Sequence, residues 1–324
     1  MTAFQSRREF LAKASGAAAT LAAPALISAS ALGAAADYPT HELTWIVHQS
    51  PGGLLDNTTR VLQPHLASQG FKSTIEYVRG ASGRIARGQL SRAKPDGYSL
   101  MTEASPEEVL GKVVFNADYR LSDFHPLFGW FINAFNLYVR KDSPIKSFDD
   151  FVKAAKSRRV TVSTIGKGGP SHLQLVLLKS QLNLDLRFIH FDGGAPAYTA
   201  VAGGHVDVGI GGSSSAQWSE TLNFLTVFRS ERDPALPNLP TMSELGHKIL
   251  SVNEVIYANA GPDVPKDRLV KLEDAFEKAF ADPTHIDQQK KINVMVKPIK
   301  SPEVRKLVQS MFDLATEHKA ALAE

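Results

Sequence analysis

The sequence predicts an α/β protein of two lobes. Short β-rich runs alternate with stretches of helical spacing from Leu43 onward, and the alternation restarts midway at "NLYVR". The 324 residues, 43% hydrophobic and 21% charged, have the size and composition of about two ordinary globular domains. Such βαβ alternation calls for parallel sheet covered by helices.

The first 36 residues stand apart from that pattern. "SRREFLAKASGAAATLAAPALISASALGAAAD" has a basic start, an Ala-rich, mildly apolar run, and small residues at Ala34 and Ala36. This is the pattern of a cleaved export signal rather than a membrane span. Its start resembles the twin-arginine signal, with Ser6, Arg7, Arg8, Glu9, Phe10 and Leu11 in order, so cleavage is expected after Ala36 and the mature protein in the periplasm. An amphipathic surface helix is the alternative, but residues 15–36 carry no charge and would pack poorly there.

In the body of the chain "LTWIV" precedes a helix over Leu54 to Ser68, "STIEYV" one over Arg84 to Ala93, and "YSLMT" one over Pro106 to Lys112. The second half reads "NLYVR", the turn "KDSPIKS", the helix "FDDFVKAAK", "VTVST", the helix "SHLQLVLLKSQL", "RFIHF", the helix "APAYTAVAGG" and "VDVGI". Prolines at 234, 237 and 240 then forbid regular helix. A last strand, "EVIYANA", leads into two helical stretches that start at Pro or Ser, "VPKDRLVKLEDAFEKAFADP" and "SPEVRKLVQSMFDLATEHKAALAE".

Composition removes several function classes. Without Arg7, Arg8, Lys13 and Glu9 the formal charge falls from +3 to +1, and Lys and Arg are scattered, so no nucleic-acid footprint is expected. Zero cysteines excludes disulfides, thiolate nucleophiles and Cys-ligated metals. The ten histidines form no H-E-x-x-H or other close metal pattern, and no cofactor or metal is expected. "GIGGSSSAQ" does not fit the nucleophile elbow, so Ser213, Ser214 and Ser215 are read as helix-capping or ligand-donating residues. The crowd of Phe128, Trp130, Phe131 and Phe135 reads as core or lobe-interface packing.

Three glycine-bearing turns follow predicted strands and precede predicted helices: Ser50-Pro51-Gly52-Gly53, Thr164-Ile165-Gly166-Lys167-Gly168-Gly169, and Asp192-Gly193-Gly194. Ligands of open α/β sheets bind at such strand ends, and a helix N-terminus favours an anion. None of the turns has phosphate-loop or dinucleotide spacing. Pro51 has no amide hydrogen to offer, and Asp56 is read first as a cap for the helix after Gly53. His172, on the next helix, is read first as orienting the second turn, with ligand contact as the other option.

At these residues the chain resembles the periplasmic solute-binding proteins of tripartite tricarboxylate transporters, the Bug family. "YPTHELTWIVHQSPGGLLD" is similar to its opening motif at Tyr38, Pro39, Gly52, Gly53 and Asp56, with Arg60 beyond it. "RGASGRIARGQLSRAKPDGYSLM" is similar to its second Gly-rich turn and Pro-Asp-Gly-Tyr-x-Leu signature, and "IHFDGGAPAYTAVAGGHVDVGI" and "RDPALPNLPTMSELG" extend the likeness. The resemblance implies a type II periplasmic-binding-protein fold, with a ligand cleft between lobe one, residues 37–138 and 256–324, and lobe two, residues 139–255. It also implies no catalysis, a small organic carboxylate as ligand, the membrane components of the transporter as partners, and a monomer. The carboxylate falls to Ser50, Pro51, Gly52, Gly53, Leu54, Leu55 and Asp56 from lobe one. Thr164, Ile165, Gly166, Lys167, Gly168, Gly169 and His172, with Asp192 and Gly194, serve from lobe two.

Departures from the family pattern bear on specificity. Leu54-Leu55 replaces a pair that is often polar, Ile165 stands where Ser is common, Arg84 replaces Asn, and Asp192 replaces Lys or Arg. Apolar turns suit one or two carboxylates on an apolar body, such as an aromatic carboxylate or a medium-length dicarboxylate, with Arg84 or Lys167 for a second acidic group. An exported enzyme acting on an organic acid, or a ligand-sensing subunit for a membrane kinase, are the competing functions.

Overall fold

The computed structural model describes residues 37–191, 194–229, 231–234, 236–248 and 251–323, and Pro39 onward forms one compact unit. The export signal, its cleavage site and Asp192 lie outside the described residues. The first half runs β1 (Leu43–Val47), α1 (Leu54–Ala67), β2 (Ser73–Tyr77), α2 (Arg84–Leu90), β3 (Ser99–Ser105), α3 (Glu107–Val113) and β4 (His125–Asn133). The second runs β5 (Asn136–Arg140), α4 (Phe148–Ser157), β6 (Val160–Ile165), α5 (Pro170–Leu182), β7 (Leu186–Phe191), α6 (Gly194–Ala202), β8 (Val208–Gly211) and β9 (Leu222–Val227). The chain ends with β10 (Glu254–Ala260), α7 (Lys266–Ala281), α8 (Pro283–Lys291), β11 (Ile299–Lys300), α9 (Ser301–Glu317) and α10 (Lys319–Ala323).

Two sheets result, one per lobe. The first has strand order β11-β4-β10-β3-β1-β2 and the second β7-β6-β8-β5-β9. β1 is parallel to β2 and β3, as the alternation requires, and β6 is parallel to β7 and β8. β10 runs antiparallel between β3 and β4, so the first sheet is mixed rather than parallel. The chain leaves the first sheet through Ala134 and Phe135 and returns to it at Glu254. β5 from Asn136, and Glu254 and Val255, therefore pair outside the lobes assigned to them by the boundaries at 138 and 255.

Burial explains the elements. "LTWIV" reads as a continuous apolar run because β1 is covered on both faces, with Trp45 fully buried and its Nε1 donating to Thr102 Oγ1 at 2.8 Å. α5 is apolar on nearly every side over its first nine residues, and Pro170 to Leu178 are all buried, its leucines sharing one core with Ala315 and Leu322. α10 thus packs on α5, so the C-terminus reaches the second lobe instead of staying with the first. Trp130 is core, stacked on Phe280 at 5.6 Å and donating Nε1–H to Thr58 Oγ1 at 2.9 Å.

Candidate functional site

A cavity of about 1000 Å³ opens between the two sheets, walled by residues at the strand ends of both. From the first lobe the β1–α1 turn contributes Ser50, Gly52, Gly53 and Leu54, joined by His48, Gln49 and Asn57. Gly52 has φ +80°, a conformation that a side chain strains, and it lets the turn close. Asp56 secures that turn: one carboxylate oxygen accepts from the Gly52 amide at 2.7 Å, the other from Arg60 Nε at 2.9 Å and the Tyr77 hydroxyl at 2.5 Å. Burial alone would raise its pKa, but the Tyr77, Gly52 and Arg60 bonds outweigh that and hold the carboxyl below its ordinary value. The Gly53 amide bonds to the Ser50 carbonyl, which leaves the Leu54 and Asp56 amides without an acceptor among the described residues.

α1 divides the Leu pair. Leu54 faces the cavity, whereas Leu55, one helical step of 100° away, is fully buried in the core. Pro51 is exposed and Asp56 buried, and neither is on the wall. Arg84 lies with its guanidinium 4.1 Å from the Phe115 ring centroid and does not line the cavity. Arg79, which the sequence reading passed over, is the one Lys or Arg on the wall among the described residues.

The second lobe offers Ile165, Gly166, Pro170, Ser171, Phe191, Gly194 and Tyr198. Thr164 is buried and bonded through Oγ1 to His190 Nδ1 at 2.6 Å. Gly168 packs under Phe115, Gly169 caps α5, and Lys167 is exposed; none of the three reaches the wall. His172 is also off the wall and accepts from the Gly168 amide through Nδ1 at 3.1 Å, which fixes the turn. Burial, then neighbouring His190 and Lys167, lowers its pKa to about 4. Two serines after β8 serve structure: Ser213 Oγ donates to Asp233 at 2.5 Å and Ser215 Oγ to Asn136 at 3.0 Å.

Behind the first-lobe wall lies a buried ionic cluster without counterpart in the sequence reading. Arg87 is fully buried and bonds Glu103 in bidentate fashion, Nε to Oε2 at 2.7 Å and Nη2 to Oε1 at 2.5 Å, while Nη1 donates to the Ser82 carbonyl at 2.7 Å. His48 Nε2 stands 3.5 Å from Glu107 Oε2 and 3.8 Å from Glu103 Oε1. Gly83, at φ +77°, passes His48 so closely that a Cβ would stand 2.9 Å from its ring. Burial and the Arg87 charge lower the His48 pKa to about 4, so the imidazole is neutral. His48, Glu103 and Glu107 have ligand atoms within 4.8 Å of one another, as a metal requires. Arg87 Nη2 already bonds the two oxygens that face His48, Glu103 Oε1 at 2.5 Å and Glu107 Oε2 at 3.3 Å, which argues against a metal ion held by this trio.

Glu107, Glu254, Asn133, Phe131 and Phe135 also line the cavity, so two of the crowded aromatics face ligand space rather than core alone. Asn133 Nδ2 donates to Glu254 Oε2 at 2.6 Å. Burial raises the pKa of Glu254, and raises that of Glu107 to about 8.

Residues 59–317 match the family model of the tripartite tricarboxylate transporter family receptor. A Cupriavidus necator protein named for the gbd 5' region is 29% identical over 297 residues, covering 89% of this chain and 89% of the relative. The solved structure of the periplasmic binding protein BugD superposes with a TM-score of 0.74 at 25% identity, over 89% of this chain and 99% of that one. An R. palustris protein solved with adipate gives a TM-score of 0.75 at 21% identity, over 88% of this chain and 98% of that one.

Proposed function

The chain belongs to the tripartite tricarboxylate transporter family receptors, binding proteins rather than enzymes, and from that premise we propose that it captures a small organic carboxylate between its lobes for a membrane transporter. The observation that carries this is the start of α1, where the Leu54 and Asp56 amides lack acceptors, Leu54 lines the cavity, and Arg79 stands on the same wall. A helix N-terminus with free amides and a guanidinium suits one carboxylate. Leu54, Phe131, Phe135, Ile165, Phe191 and Tyr198 suit an apolar body behind it, and the adipate bound by one structural neighbour is consistent with such a ligand. The chain works in the periplasm as a monomer, exported by the twin-arginine route with cleavage after Ala36, and its lobes close over the acid.

A thermal-shift panel of aliphatic and aromatic carboxylates tests this. A ligand at 100 times its Kd adds about 2.7 kcal/mol, roughly 4–5 °C in Tm for a chain of this size. Leu54→Pro then isolates the amide, because Pro suits the first helical position and removes only that N–H from the backbone. Relative to Leu54→Ala it should weaken binding about tenfold or more, the worth of one charge-assisted bond. A panel with no stabilising carboxylate overturns the reading.

A further inference from the structure

The first-lobe wall of the cavity and the cluster behind it hold more acidic side chains than cations. Glu103, Glu107 and Glu108 stand around the buried guanidinium of Arg87, whose bonds go mainly to Glu103, and Glu254 adds a further carboxyl next to Glu107. Of the four, Glu107 and Glu254 line the cavity. His48, 6% exposed, lines it beside them, and its Nε2 has no hydrogen-bond partner among the described residues. Arg84 and Lys167 are both off the wall, so neither awaits a second ligand carboxylate there.

We propose that Glu107, Glu254 and the unpartnered His48 Nε2 form a second subsite in this cavity, one that accepts a protonated nitrogen carried by the ligand at the end remote from its carboxylate. This rests on the carboxylate reading of the α1 turn and narrows it: the ligand is a zwitterion with an apolar middle, not a diacid. A second carboxylate on the ligand would oppose ionisation of Glu107 and Glu254, whereas an ammonium favours their ionised form and balances its charge. Its N–H groups also give the imidazole nitrogen a partner and add donors to the two carboxyls, each of which has a single side-chain donor among the described residues, Arg87 for Glu107 and Asn133 for Glu254. Glu107 faces Arg87 from α2, Glu103 from β3, His48 after β1 and Glu254 from β10, so a cation bound there draws off the proton that crowding and burial keep on the pair.

The test is calorimetry at neutral pH with two matched pairs of probes, aminocaproate against adipate and para-(aminomethyl)benzoate against terephthalate, in buffers of different ionisation enthalpy. The expected result is that an amino acid of a pair binds about tenfold or more tighter than its diacid, the effect of one charge-assisted bond, and releases protons. Glu107→Gln and Glu254→Gln, checked for folding by their unliganded melts, should each shrink that preference several-fold. Tighter binding of the diacids, amino-acid binding without proton release, or an unchanged preference in both variants overturns the subsite and leaves the carboxylate reading standing. Failure of all four probes together with the whole carboxylate panel overturns the carboxylate reading, and the subsite with it.

Discussion

Replacing Arg87 with Met tests whether the buried ion pair behind the cavity holds the first lobe together. The guanidinium is fully buried and makes two short bonds to Glu103 and one to the Ser82 carbonyl. Removing one member of such a pair leaves an uncompensated buried charge and costs about 3–5 kcal/mol, with about 1 kcal/mol more for the lost carbonyl bond. With a urea m-value of about 3 kcal/mol/M, the resulting loss of about 4–6 kcal/mol lowers the denaturation midpoint by about 1.3–2 M. Trp45 and Trp130, both buried in this lobe, report the transition by fluorescence. Burial of Glu103 would raise its pKa, but Arg87 overrides that and holds it below the ordinary value; in R87M the same carboxyl loses its counter-charge. The double variant R87M/E103L removes both charges and should recover most of the loss. An R87M protein within about 1 kcal/mol of wild type, or a double variant no more stable than R87M, refutes the reasoning.

Burial lowers His172 and His285 to about 4, so both stay neutral in the fold while the unfolded chain takes up protons near the ordinary histidine value. Their stability is present above pH ~6.5 and is lost as pH falls toward 4, which urea titrations at stepped pH will show as a falling midpoint. Glu107 and Glu108, raised by burial to about 8 and about 7, act with the opposite sign: their contribution is present below the ordinary carboxylate value and is lost as pH rises toward 8. Between pH ~6.5 and 8 the midpoint should therefore decline, and E107Q should flatten that decline. Gly209→Ala would drive a methyl into the Tyr138 ring and should cost about 1–3 kcal/mol, whereas Gly246→Ala, with no atom within 4 Å, meets only the strain of its φ of +78°, about 1–2 kcal/mol. Differential scanning calorimetry of the two separates overpacking from backbone strain. Asp56→Ala frees the Gly52 amide and should cost about 0.5–2 kcal/mol in Tm-derived stability, with weaker carboxylate binding in the same assay.

Periodicity made the parallel strands and their crossover helices legible, because each depends only on local spacing. β4 was not, since "HPLFGWFIN" is apolar at nearly every position and shows no alternation when both faces are covered. Within the glycine turns, residues that share a segment part company in space: Leu54 goes to the wall and Leu55 to the core, and Thr164 turns to His190 while Ile165 turns to the cavity. A run of sequence names a turn, and helical phase decides which of its side chains a ligand can touch.

The residues that the glycine signal missed obey one rule applied more widely. Arg79 follows the end of β2, Glu107 the end of β3, Asn133 closes β4, Phe191 closes β7 and Gly212 follows β8, so each stands at a strand's carboxyl end, where open α/β sheets bind ligands. Glu254 is the instructive exception, because it opens β10 instead of ending it. β10 runs antiparallel to β3 and β4, with Glu254 opposite Asn133 and Val255 opposite Ser105, so its first residue reaches the rim where its neighbours finish. That reversal also brings the chain back from the second lobe, and it puts a carboxyl from residue 254 beside one from residue 107. The polar chemistry of this cavity thus comes from topology, which local pattern does not encode. The glycine turns that pattern does encode supply the backbone frame, and the charged groups to which we assign the choice among acids stand at strand ends that meet only in the folded sheet.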